Sequence, residues 1–212
     1  MIDKSLWSDI WRMPKIADEQ HAMTQGELVS WKAGGRHFAF DACKQLMLLT
    51  NPESVLDVGC GVGHYSEVLR TIYPDAKYCG VDVSRSMIAL AQKNHKGSFM
   101  VCDAANIPFN AKSHDVVMLS GVIGHVPDFD AVIDQGVRLA RKFVILHRVL
   151  SYNDPKEPFR EFTKEGYGVQ MAERAFDEST LLDSRDWTVV ESVRWNKTST
   201  NGYMLSTLLK VA

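Results

Sequence analysis

Between residues 54 and about 147, short apolar, β-branched runs alternate with segments whose apolar residues recur at helical spacing. The runs read as strands buried on both faces, and the alternation is that of a parallel sheet covered by helices on each side. Strands are predicted at Ser54 to Val58, Lys77 to Val81, Ser98 to Cys102, Asp115 to Leu119 and Lys142 to His147. Helices are predicted at Tyr65 to Ile72, Ser86 to Asn94 and Asp130 to Leu139. Ser84 is the expected N-cap of the second helix, with Met87, Ile88, Leu90 and Ala91 on its buried face. Toward the end of the chain the pattern changes. After a helix near Ser179 to Ser184, two strand-like runs, Trp187 to Trp195 and Tyr203 to Val211, are joined by the polar stretch Asn196 to Gly202. An Asn-Gly pair in such a link favours an antiparallel return.

Two segments fall outside this alternation. Residues 1–35 carry Leu6, Trp7, Ile10, Trp11 and Trp31, with Pro14 and Gly34-Gly35 as breaks. Three roles fit an amphipathic stretch there: a lid, a dimer contact, or a helix packed on the sheet. The second segment, about 149–176, mixes Tyr152, Phe159, Phe162 and Tyr167 with Asp154, Lys156, Glu157, Arg160 and Glu161. An insertion at the carboxyl end of a strand lies where open α/β sheets bind ligands, so it is expected to form the substrate wall. The organisation predicted is an N-terminal helical extension or lid over 1–35 and one α/β domain over 36–212.

A chain of 212 residues is enough for one well-cored α/β domain. The formal net charge of −2 gives no general attraction for nucleic acid or an anionic membrane, so a small molecule is the default substrate. Oligomeric state is not legible. Cys43, Cys60, Cys79 and Cys102 form no C-x-x-C pair and read as free thiols of a reducing compartment. No stretch approaches the roughly 18 apolar residues that span a bilayer, and no signal pattern opens the chain, so a cytoplasmic protein is expected.

The chemistry concentrates at Val55-Leu56-Asp57-Val58-Gly59-Cys60-Gly61-Val62-Gly63, a strand ending in an acid and followed by three alternate glycines before a helix. Glycine leaves the backbone bare and reaches positive φ without strain. The spacing differs from the G-x-G-x-x-G of dinucleotide sites, and Asp57 beside the loop would repel a pyrophosphate but can hold an ammonium group. Asp82 ends the second strand nineteen residues after Gly63, close to the interval at which an acid takes ribose hydroxyls. It also suits a helix N-terminus. Val83 and Met87 would then flank an adenine ring, although Met87 equally suits helix packing.

The segment Val55 to Leu69 resembles motif I of the class I S-adenosylmethionine-dependent methyltransferases, and the order of parts over about residues 36–211 resembles that family as a whole. The resemblance implies a Rossmann-like, seven-stranded, mostly parallel sheet with a reversed last strand. It also implies S-adenosylmethionine as cofactor, held by Asp57, Gly59, Cys60, Gly61, Gly63 and Asp82. After the third strand, Asp103 and the Ala104 amide would read the adenine edge, with a simple turn as the other role for Asp103. After the fourth, the Ser120-Gly121 backbone would approach the methionine part of the cofactor. His125, just beyond, suits a general base by its titration near neutrality, and suits a loop-positioning hydrogen bond as well.

Several methyltransferase signatures are missing: the Asn- or Asp-Pro-Pro-aromatic tetrapeptide of amino-directed DNA enzymes, the Pro-Cys nucleophile of cytosine-C5 enzymes, and the paired glutamates of arginine enzymes. The fourth strand ends in serine, so hard oxygen ligands for magnesium are not indicated and no metal is expected. The expected activity is O- or N-methylation of a small-molecule acceptor by direct displacement. Two other functions fit the same fold: a nicotinamide-dependent oxidoreductase, which would ordinarily show the G-x-G-x-x-G spacing, and a non-catalytic S-adenosylmethionine-binding partner subunit.

Overall fold

A computed structural model describes residues 2, 3, 5–196 and 202–212. Of the polar link between the last two runs, residues 197–201 lie outside the described residues. The chain begins with helix α1 (Ser5–Ser8), a 3-10 turn at Ile10–Arg12, α2 (Pro14–Lys32) and α3 (Phe38–Leu48). The alternating region follows as β1 (Ser54–Val58), α4 (Tyr65–Arg70), β2 (Lys77–Asp82), α5 (Arg85–Asn94), β3 (Ser98–Val101), β4 (His114–Ser120), α6 (Phe129–Leu139) and β5 (Ala140–Tyr152). Then come β6 (Phe159–Gly166), β7 (Val169–Asp177), α7 (Glu178–Leu182), β8 (Trp187–Trp195) and β9 (Tyr203–Val211).

Strands β3, β2, β1, β4 and β5 lie side by side in parallel. β9 runs antiparallel along β5, and β8 antiparallel along β9. This is the expected mostly parallel sheet with a reversed last strand. The central strands are buried on both faces, as their unbroken apolar runs require: Val55, Val116 and Ile145 pack in one layer, and Leu56, Val117 and Val144 in the other. Ser84 caps α5 by accepting the Met87 N–H at 3.4 Å.

Among the described residues the sheet has nine strands where seven were expected. β5 runs on to Tyr152 although its pairing with β4 ends at Ser120 and His147. On the edge that β4 vacates, Ser151 and Tyr152 pair with Phe176 and Asp177 of β7, which forms a hairpin with β6. The insertion is thus an extension of the sheet above the end of β4. Its strands escape the hydrophobic pattern because β6 is almost wholly exposed and has no apolar face to alternate. Arg174 fastens the hairpin: it donates to Val126 O at 2.9 Å and Pro127 O at 3.3 Å, pairs with Glu161, and stacks against Trp7 and Phe129.

Helix α3 also lies outside the predicted elements. The N-terminal helices pack on the domain, with Ile16 and Ala17 buried against Val62, Met87 and Met171. Pro14 is the first residue of α2, where its missing N–H costs no helical bond, so it starts the helix. Among the described residues, no helix is long and apolar enough to cross a membrane.

Candidate functional site

The carboxyl ends of the parallel strands, the helix α2 and the β6–β7 hairpin enclose a cavity of about 630 Å³. Its floor is the glycine loop. The Gly59 and Cys60 amides both donate to Val81 O, at 2.8 and 3.1 Å, which pins the loop to β2. Gly59 has φ 74°, and a Cβ there would stand 2.7 Å from the Val122 Cβ, so both conformation and space exclude a side chain. At Gly61, φ 53°, the Gln20 amide of α2 lies against the Cα, with its carbonyl oxygen buried and unpartnered among the described residues.

Asp82 ties this floor together. One carboxylate oxygen accepts the Gly61 N–H and the other the Ser84 N–H, each at 2.9 Å. Burial raises its pKa, opposed by the N–H groups of Ser84, Gly61 and Val83. Both oxygens keep lone pairs for further donors. Val83 and Met87 line the same end of the cavity, and Met87 is also packed in the small core beneath α2. Asp103 lines it too, while accepting the Ala105 N–H at 2.9 Å in a turn.

Of the residues singled out in the sequence, Gly59, Cys60, Gly61, Asp82, Val83, Met87, Asp103, Ala104, Ser120, Gly121 and His125 all line the cavity. Asp57 and Gly63 do not. Asp57 is fully buried in β1, its Oδ2 2.5 Å from the Tyr78 hydroxyl, so its carboxyl is not placed to take an ammonium group in the cavity. Gly63 faces Phe99 and Ala91, where even a Cβ would not fit. It lets the loop pass close to α5 and β3.

His125 lies across from the floor, in a 3-10 turn after β4. Its Nδ1 is 3.1 Å from Ala172 O. A carbonyl only accepts, so Nδ1 carries the proton in this bond, and in the neutral ring Nε2 keeps its lone pair. Nε2 is 3.6 Å from Glu173 Oε1, which also pairs with Lys164 Nζ at 2.7 Å. Burial pulls the imidazole pKa below its ordinary value, against the Glu173 charge. The Trp11 ring packs edge-on against it at 4.9 Å.

Sequence reasoning named Tyr167 in the segment expected to form the substrate wall but did not single out Gln20, Arg148, Lys164 or Glu173; all five line the cavity. None of them sits in a motif; α2 and the hairpin carry four of them into place. Among the described residues no cluster of histidine, cysteine or acidic side chains suits a metal ion. The arrangement pairs a glycine-rich floor and a carboxylate with unused lone pairs at one end with an imidazole whose Nε2 keeps its lone pair at the other. A nucleoside-bearing cofactor fits the floor, since Gly59, Cys60 and Gly61 line the cavity beside the free lone pairs of Asp82.

Residues 55–142 match the methyltransferase domain family. The chain is 38% identical over 77 residues to a demethylmenaquinone methyltransferase of Thermotoga maritima, a match covering 36% of this chain and 34% of that protein. It is 37% identical over 91 residues to a phthiotriol/phenolphthiotriol dimycocerosates methyltransferase of Mycobacterium ulcerans, covering 41% and 33%. The matched stretch thus spans about a third of the length of these curated relatives. Among solved structures, magnesium protoporphyrin IX methyltransferase from Synechocystis PCC 6803 with bound S-adenosylmethionine superposes with a TM-score of 0.58 at 19% identity, covering 82% of this chain and 78% of that one. The 1,6-didemethyltoxoflavin-N1-methyltransferase of Burkholderia thailandensis superposes with a TM-score of 0.58 at 19% identity, covering 92% and 90%. Residues 55–142 of this chain are thus similar to a methyltransferase domain, and its fold is shared with these solved methyltransferase structures.

Proposed function

We propose that this chain transfers a methyl group from S-adenosylmethionine to a small-molecule acceptor. The observation that carries this reading is the Gly59–Gly61 loop welded to Asp82 at the floor of a cavity that also holds His125. Relatives named for menaquinone, dimycocerosate and toxoflavin substrates support an acceptor of small-molecule type. When bound, the cofactor supplies an electrophilic methyl group on a sulfonium. The protein's part is to place a nucleophile in line with it and to keep water away.

Each residue then has a defined task. Asp82 accepts the ribose hydroxyls with the lone pairs that Gly61 and Ser84 leave free. Val83 and Met87 flank the adenine, while Asp103 and the Ala104 amide meet its polar edge. The Ser120-Gly121 backbone lies beside the methionine part, and the Gln20 carbonyl oxygen, against Gly61 and unpartnered among the described residues, is a further acceptor at the loop. His125 takes the proton of an attacking hydroxyl or ammonium at Nε2, and Glu173 stabilises the resulting imidazolium.

Thermal unfolding with added ligands tests the reading. S-adenosylhomocysteine at 100 times its Kd should stabilise by about 2.7 kcal/mol, and NAD should not. A melting temperature raised by NAD and unmoved by S-adenosylhomocysteine would make the chain an oxidoreductase instead.

A further inference from the structure

Two neighbouring residues of β5, His147 and Arg148, reach the same phenol. His147 Nε2 is 2.7 Å from the Tyr65 hydroxyl, and the Arg148 charge acts on the same phenol. In an unbroken strand consecutive side chains point to opposite faces. The strand is broken here: pairing with β9 shifts register between Leu146 and Val149, and Arg148 has φ 58°. A left-handed arginine costs on the order of 1 kcal/mol or more and persists only where its surroundings hold it. The Ser206 hydroxyl holds this one, accepting the Arg148 backbone N–H at 3.2 Å and lying 2.6 Å from His147 Nδ1.

The bulge turns Arg148 into the wall of the cavity. There it faces neutral rings, those of Tyr65, His64 and His147. Tyr65 and Ser206 hold the His147 ring from its two nitrogens, at 2.7 and 2.6 Å. Burial and the Arg148 charge keep His64 and His147 well below their ordinary pKa, hence neutral. The other cations of the cavity are paired, Arg12 with Asp9 and Lys164 with Glu173. No carboxylate among the described residues lies within 4.0 Å of Arg148, and Glu27, whose charge it does feel, pairs with His37. The side chain is exposed, yet the space it is exposed to is the cavity.

We propose that Arg148 is the binding site for a carboxylate of a cavity ligand, delivered on the arm that the β5 bulge and the Tyr65–His147–Ser206 chain hold in place. This deepens the methyltransferase reading and rests on it. Two ligands can bring that chemistry, the amino-acid end of the cofactor and the methyl acceptor. The planar fork of arginine suits a carboxylate better than a point charge would.

The test uses the full chain and calorimetry in two arms. In the first, wild type and Arg148→Met are titrated with S-adenosylhomocysteine and with methylthioadenosine, which lacks the amino-acid end. In the second, both proteins saturated with S-adenosylhomocysteine are titrated with benzoate and with the neutral benzamide. Loss of a charge-assisted hydrogen bond weakens binding by about 10- to 100-fold. A loss of that size for S-adenosylhomocysteine, with methylthioadenosine unchanged, assigns the carboxylate to the cofactor. Unchanged cofactor affinity with loss of a wild-type preference for benzoate over benzamide assigns it to the acceptor. Arg148→Lys should retain part of whichever effect is seen. Methylthioadenosine binding also reports that the variants are folded. If Arg148→Met leaves both arms within twofold of wild type, or wild type shows no benzoate preference and no cofactor effect, the proposal is overturned. Wild type binding neither adenosine compound would instead overturn the methyltransferase reading.

Discussion

The Tyr78 hydroxyl lies 2.5 Å from Oδ2 of Asp57, one strand away and beneath the glycine loop. Both groups are buried, and Oδ1 of Asp57 has no partner among the described residues. Burial pushes the Asp57 pKa up to about 8, opposed by the Tyr78 hydrogen bond and assisted by the Asp82 charge. An acid whose folded pKa exceeds its unfolded value binds a proton in the fold that it releases on unfolding. The stability it contributes is therefore present at low pH and lost as pH rises from 3.8 to about 8. Denaturant unfolding across that window should show wild type losing stability and Asp57→Asn losing less. Tyr78→Phe should cost about 1 to 3 kcal/mol, because it leaves a buried carboxyl group without its partner. Equal pH slopes for wild type and Asp57→Asn would place the titration elsewhere.

Asp82 carries the floor of the site as well as its proposed ribose contacts. Asp82→Ala should weaken S-adenosylhomocysteine by about 1.5 to 3 kcal/mol for the ligand bonds alone, and by more if Gly61 and Ser84 are released. Asp82→Asn keeps one carbonyl acceptor and should lie between. Calorimetry giving wild-type affinity for Asp82→Ala would remove the assignment.

For His125, the ring bonded through Nδ1 to Ala172 should titrate below its ordinary 6.5. Removing the Glu173 charge takes away support for the imidazolium, so Glu173→Gln should move the midpoint lower still; NMR of the ring protons measures both. With any acceptor that turns over, His125→Asn should lower kcat by about 10²- to 10⁴-fold with cofactor affinity nearly intact. Turnover within about threefold of wild type would leave His125 a positioning residue only, since a lost base costs far more.

Trp11 and Gln20 line the cavity from the N-terminal segment, and Gly34-Gly35 closes α2. If this segment acts as a lid, hydrogen exchange in residues 10–32 should slow when S-adenosylhomocysteine is added. Equal protection with and without ligand would leave it a helical layer packed permanently on the domain.

The parallel strands and the glycine turn were legible because their causes are local. Val55-Leu56, Val116-Val117 and Val144-Ile145 are apolar on both sides, as parallel strands covered by helices must be, and Gly59 and Gly61 announce a backbone that has to turn and stay bare. Ser84 and Asp82 likewise follow from the end of a strand meeting the start of a helix. The third dimension decided what has no local cause. Asp57 reads as a ligand acid beside the loop, and only the pairing of β1 with β2 shows that the Tyr78 hydroxyl already engages it. The exposed β6 has no apolar face to betray it, so the hairpin that brings Lys164 and Glu173 to His125 is invisible until β5 outruns β4. Arg148 reaches the cavity through a bulge, a fault in register that depends on two strands far apart in sequence, and no pattern within either strand records it.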